Sequence, residues 1–127
     1  MIVSLSLPDR LVQQMDQAIE GRGYRGRSEL ARTALLHFLR SQQREEQTTG
    51  RMSVIVVLGY PERAERNVSE VRHQHNDLVT SMLHAHTLRA RCSTVLVGAG
   101  EAEKMRAFLT ELRGIRDLES IEVTVLE

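Results

Sequence analysis

His84 and His86 stand two residues apart in the run Ser81-Met82-Leu83-His84-Ala85-His86-Thr87-Leu88, and Cys92 follows six residues later as the only cysteine. On a strand, side chains alternate between faces, so both imidazoles leave the same one. Two imidazoles and a thiol, with His73 upstream in a helix-like stretch, are donors suited to a late first-row metal. Each residue alone has an ordinary reading. A single strand histidine is usually a polar surface group, and a single cysteine is usually a small apolar filler. It is the grouping that points to a metal. His75 lies two positions after His73, which on a helix is roughly 200° around the axis, so both cannot serve one site. His75 reads as packing or support, and His37 as structural. No third group or oxyanion arrangement accompanies Cys92 with either histidine, so enzymatic activity is not expected. Lys104 is the only lysine, and nothing marks it as catalytic.

The elements that must position these donors are small. The chain has 127 residues, no Trp and only 3% aromatics, so its cores must be built from aliphatic side chains. One medium domain or two small ones fit this length, and small domains gain burial by oligomerising. A lone cysteine excludes an intrachain disulfide framework. The N-terminus lacks a basic segment followed by a long apolar one, and no apolar run approaches the ~18 residues of a membrane span. The chain reads as cytoplasmic, without membrane contact. Its charge is balanced overall but not locally: residues 1–44 carry seven arginines against four acids. A cationic N-terminal part on an acidic remainder suits a DNA-binding module joined to a sensor domain.

In that N-terminal part, Val3, Leu5 and Leu7 alternate with Ile2, Ser4 and Ser6, which predicts a short strand ended by Pro8. Leu11, Val12, Met15 and Ile19 mark a helix closed by Gly21 and Gly23. Ser28 is placed to cap a second helix carrying Leu30, Ala31, Ala34, Leu35, Phe38 and Leu39. Residues 41–51 lose the apolar stripe and read as helix end and linker. One strand and two helices cannot bury a core alone, and a lone strand needs a partner. The alternating strand, Leu7-Pro8-Asp9 and the stretch Arg22–Glu29 before helix two resemble the ribbon-helix-helix DNA-binding family. That resemblance implies a dimer whose two-stranded ribbon enters the major groove. It places Ile2, Ser4 and Ser6 toward base edges, and Arg27 and Ser28, beside Glu29, at a phosphate.

Further along, Ser53–Leu58 predicts a strand broken by Tyr60 and Pro61, and residues 62–79 predict a helix. Strands over 81–88 and 92–97 are joined by an Arg89-Ala90-Arg91 turn, with Gly98-Ala99-Gly100 ending the second. A helix over 101–113, with Met105, Phe108, Leu109 and Leu112 inward, precedes an alternating strand over 120–126. The expected class is α+β, with a βαββαβ ferredoxin-like order in the C-terminal part. The expected boundaries are 1–46 for the DNA-binding unit, 47–52 for a linker and 53–127 for the metal-binding unit.

The intervals from His73 to His84, His84 to His86 and His86 to Cys92 are 11, 2 and 6. With this domain order, they resemble the nickel-responsive regulators of the NikR family, which join a ribbon-helix-helix domain to an ACT-like ferredoxin fold. The resemblance covers nearly the whole chain. It implies one Ni(II) per subunit, held by His84, His86 and Cys92 with His73 of a neighbouring copy. It implies a homotetramer, a dimer of dimers, repressing from a palindromic double-stranded operator. Sensing of cobalt, copper or zinc is the nearest alternative, followed by a metal-independent regulator answering to a small organic effector. Two departures stand out. Ile2 takes a ribbon position that is basic in some members. Thr33 stands where an acid would pair with Glu29 at a secondary cation site.

Overall fold

The computed structural model describes residues 1–126 and divides the chain into two compact units, Met1–Arg40 and Ser41–Glu127. The first unit contains α1 (Asp9–Arg22) and the greater part of α2 (Arg27–Gln47). Pro8 precedes α1, and its carbonyl accepts the N–H groups of Leu11 and Val12. Gly23 ends the helix at φ 73°, donating its N–H to Ile19. That left-handed conformation costs glycine little, which is why the chain stops there. Gly21, expected to share in this stop, remains inside the helix.

Two further expectations for this unit are corrected. Helix α2 begins at Arg27, so Ser28 lies inside the first turn rather than capping it. The Glu29 carboxylate accepts the Arg25 N–H at 2.8 Å and so ties the chain just before the helix to its first turn. The predicted strand over residues 2–7 does not form in the single chain. Nothing in this unit offers a strand edge to pair with, so the ladder has no second half. Ile2, Val3 and Leu5 stay 65–96% exposed, and no residue of 1–40 is buried.

The second unit is a four-stranded antiparallel sheet, ordered β2-β3-β1-β4, with two helices on one face. Its strands are β1 (Arg51–Pro61), β2 (Val79–Thr87), β3 (Arg91–Glu101) and β4 (Ser120–Val125). Its helices are α3 (Glu65–Gln74) and α4 (Ala102–Arg113). The βαββαβ order is as expected, although several boundaries move. Helix α2 continues to Gln47, so only Thr48, Thr49 and Gly50 separate it from β1. The last turn of α2 is held from α4: Arg106 donates to the Glu45 and Thr48 carbonyls, and Arg113 forms a bidentate pair with Glu45.

Strands β1 and β3 are longer than their apolar runs suggest. Tyr60 and Pro61 complete β1 instead of breaking it, paired with Cys92 and Arg91. Gly98 and Gly100 lie within β3, not at a turn. A Cβ on Gly98 would meet the Leu78 carbonyl at 3.0 Å, and one on Gly100 would collide with the Leu78 side chain. The glycines therefore let the chain cross the sheet closely before β2. The β2–β3 turn is Leu88-Arg89-Ala90, one residue earlier than expected. Arg89 and Ala90 both adopt positive φ there. The helix-covered face buries Met52, Val54, Val56, Leu58 and Leu96 against Val68, Met105, Phe108, Leu109 and Leu112. Each large aliphatic or aromatic side chain so buried contributes about 1.5–3 kcal/mol.

Candidate metal centre

The ladder registers build the site. Tyr60, Cys92 and His86 form one row across β1, β3 and β2, and Leu58, Thr94 and His84 form the adjacent row. Alternation sends Tyr60, Cys92, Thr94 and both histidines to the helix-covered face. Strand β2 lies at the sheet edge, so His86 remains exposed and His84 half-buried, while Cys92 and Thr94 are each only 2% exposed. One ligand atom from each of His84, His86 and Cys92 lies within 4.8 Å of the other two. His86 Nδ1 is 3.6 Å from Cys92 Sγ, and the two imidazole centroids are 5.1 Å apart.

Beneath the histidines lies a polar relay that sequence reasoning missed. The Tyr60 hydroxyl donates to Glu65 at 2.5 Å and lies 2.7 Å from the Thr94 hydroxyl. His84 Nδ1 is 3.1 Å from Thr94 Oγ1 and 3.3 Å from the Tyr60 oxygen. The Tyr60 hydroxyl, held out of water and beside the Glu65 carboxylate, ionises well above the ordinary tyrosine range. Two carboxylates face the imidazoles: Glu65 Oε2 is 3.5 Å from His84 Nδ1, and Glu62 Oε1 is 3.3 Å from His86 Nδ1. Burial first, then Glu65 and Glu62, push the Cys92 thiol up. The spacing Glu62-x-x-Glu65 after β1 was visible in the sequence, and Thr94 follows Cys92 with the period of a strand. Neither signal had meaning until register put them beside the histidines.

The other singled-out residues fall elsewhere. His73 is exposed on α3, in an open groove with Glu62, Arg66, Ser69 and Glu70, and is not in its own chain's cluster. His75 hydrogen-bonds Glu111 at 2.9 Å and packs its ring on Phe108 at a 4.9 Å centroid distance. It serves packing, in line with its reading from the sequence. In the N-terminal unit, Ile2, Ser4 and Ser6 are exposed, and Arg27 pairs with Asp16 at 2.9 and 3.0 Å while Ser28 sits on the first turn of α2.

Residues 51–126 match the family described as the NikR C terminal nickel binding domain. The chain belongs to this family. Relatives of NikR type span nearly its whole length. A protein of Haloarcula marismortui named "Putative nickel-responsive regulator" is 30% identical over 98% of this chain and 92% of its own. A Halobacterium salinarum protein of the same name is 32% identical over 98% and 90%. One from Methanocaldococcus jannaschii is 26% identical over 98% and 90%. The fold is also shared with the solved structure of an uncharacterized protein from Thermotoga maritima. That match has a TM-score of 0.56 at 16% identity, covering 61% of this chain and 99% of the other. Two imidazoles and a thiol converging at one sheet edge are a donor set that suits the nickel of the NikR family. Among the described residues, no helix is long and apolar enough to cross a membrane.

Proposed function

We propose that the protein is a nickel-responsive DNA-binding repressor, with Ni(II) held at one site per subunit by His84, His86 and Cys92. The observation that carries this reading is the convergence of those three donors in a domain of the NikR family. His73, exposed and not part of its own chain's cluster, is suited to serve as the fourth donor of a neighbouring copy. When bound, the metal supplies a cross-link among β2, β3 and that neighbouring helix. Three nitrogens and one sulfur favour a planar field for Ni(II), whereas Zn(II) draws the same donors toward a tetrahedron.

Assembly is supported by surfaces a single chain leaves uncovered. The helix-free sheet face carries Ile55, Val57, Leu83, Val95 and Val97, with Leu83 67% exposed. In the first unit, Val3, Leu5, Leu7, Val12, Met15 and Ala31 line a groove together with Ser6, Arg27 and Ser28. A second copy pairing its residues 2–7 antiparallel would close the groove and complete a ribbon-helix-helix dimer. Ile2, Ser4 and Ser6 then reach base edges of a palindromic operator, and the N-terminus of α2 at Arg27 and Ser28 meets a phosphate. Operator affinity rises with metal to the extent that the DNA-competent tetramer binds the metal more tightly than the alternatives do.

Random-sequence selection with the full chain would supply an operator, which is then titrated with chelated and nickel-loaded protein. The expected result is a large nickel-dependent gain, lost in His84→Ala and Cys92→Ala. Equal binding with and without nickel would sink metal control.

A further inference from the structure

The His86 imidazole turns Nδ1 toward two other donor atoms. Cys92 Sγ lies 3.6 Å from it, and Glu62 Oε1 lies 3.3 Å from it. These separations are close to those between ligands of one tetrahedral ion. With bonds of about 2.1 Å to nitrogen and oxygen and about 2.3 Å to sulfur, the edges of a zinc tetrahedron are about 3.4 Å for N···O and about 3.6 Å for N···S. Neighbouring corners of a planar site with the same bonds come closer, at about 3.0 and about 3.1 Å.

Of the two carboxylates that face the imidazoles, Glu65 is committed, accepting the Tyr60 hydroxyl at 2.5 Å. Among the described residues, the Glu62 carboxylate has no partner besides His86. Its root is held at the hairpin that carries His86. Pro61 ends β1 opposite Arg91, and the Glu62 N–H donates to the Ala90 carbonyl at 3.1 Å. The carboxylate itself lies outside the trio of donors that share a 4.8 Å spacing. Its side chain is 54% exposed, so rotation about the fixed root can bring it inward.

Resting on the three-donor site above, we propose that Glu62 is an alternative fourth donor, closing that site around a tetrahedral ion such as Zn(II) within a single chain. Carboxylates are ordinary zinc ligands. A thiolate and a carboxylate together also cancel the two charges of the ion, so no further anion is needed. The fourth donor then differs with the geometry of the metal. Planar Ni(II) takes His73 from a neighbouring copy and links two subunits, whereas tetrahedral Zn(II) takes Glu62 and links none. Raw affinity separates these ions poorly, which leaves geometry to do so. An ion that does not recruit the neighbour's donor has no differential hold on the assembled state through that donor.

The test measures zinc and nickel affinities of the full chain by chelator competition. Glu62→Ala should weaken zinc by about tenfold or more, at least the effect of losing an outer-shell partner, and leave nickel nearly unchanged. His73→Ala should do the reverse. Both side chains are exposed, so unfolding midpoints should stay in place. Equal losses of both metals in Glu62→Ala would make Glu62 a support for His86 rather than a ligand, and would overturn the inference. So would an unchanged zinc affinity in that variant, or a zinc affinity that falls together with nickel in His73→Ala. A wild-type chain that binds zinc but no nickel would sink the nickel reading instead, and Glu62→Ala would still decide the zinc donor.

Discussion

His86 and Cys92 face each other in register across β2 and β3, with Nδ1 3.6 Å from Sγ. One of the pair is largely exposed and the other is 2% exposed. The site therefore has a wet side, open to an arriving ion, and a dry side where the thiol must lose its proton.

That proton sets the pH dependence. Burial, Glu65 and Glu62 all hold the Cys92 thiol above its ordinary value, so at neutral pH it is protonated. Metal binding displaces the proton, and apparent affinity should rise by about tenfold per pH unit between roughly pH 7 and 8. Without metal the sign reverses. A thiol raised on folding gives stability present below the unfolded pKa and lost as pH rises through the folded one. Chelator competition across pH, paired with metal-free unfolding at alkaline pH, checks both directions.

Tyr60→Phe removes a hydroxyl that Glu65 and Thr94 both use. Thr94 is 2% exposed and keeps His84 as a neighbour, so its loss is partial. A destabilisation of about 1–2 kcal/mol is expected from denaturant midpoints. An unchanged midpoint would mean that the relay holds nothing together.

Gly98→Ala should destabilise the sheet by about 1–3 kcal/mol, because the new methyl meets a backbone carbonyl at 3.0 Å and Met105 at 3.1 Å. Gly21→Ala is the contrast. Nothing lies within 4 Å of its added Cβ, and the position is helical, so it should stabilise α1 by about 0.5–1 kcal/mol. Thermal or denaturant unfolding separates opposite signs readily.

The bidentate pair between Arg113 and Glu45 holds the last turn of α2 on α4, and the Glu45 side chain is only 13% exposed. Glu45→Ala should cost about 1–2 kcal/mol, more than an exposed ion pair. Hydrogen exchange should also rise at Gln47 and Thr48. Unchanged protection there would show that Arg106 alone anchors the turn.

Much of this protein was legible in its sequence because the signals are local. The alternation of Ile121, Val123 and Val125, the stripe of Met105, Phe108, Leu109 and Leu112, and the spacing of His84 and His86 each report one element's own period. The order of those elements then pointed to the ferredoxin-like unit. What the sequence left open depends on partners far along the chain. Gly98 and Gly100 resembled a turn because nothing local shows Leu78 crossing over them. Tyr60 and Pro61 resembled a strand end because their ladder partners lie thirty or more residues away, at Cys92 and Arg91. Residues 2–7 have the alternation of a strand but no edge within their own unit, and backbone hydrogen bonds need a second participant. Register alone set Glu62 beside His86 and stacked Tyr60 and Thr94 under His84. The donors were written in the sequence, but what orients them and tunes their protons was decided by which strands lie side by side.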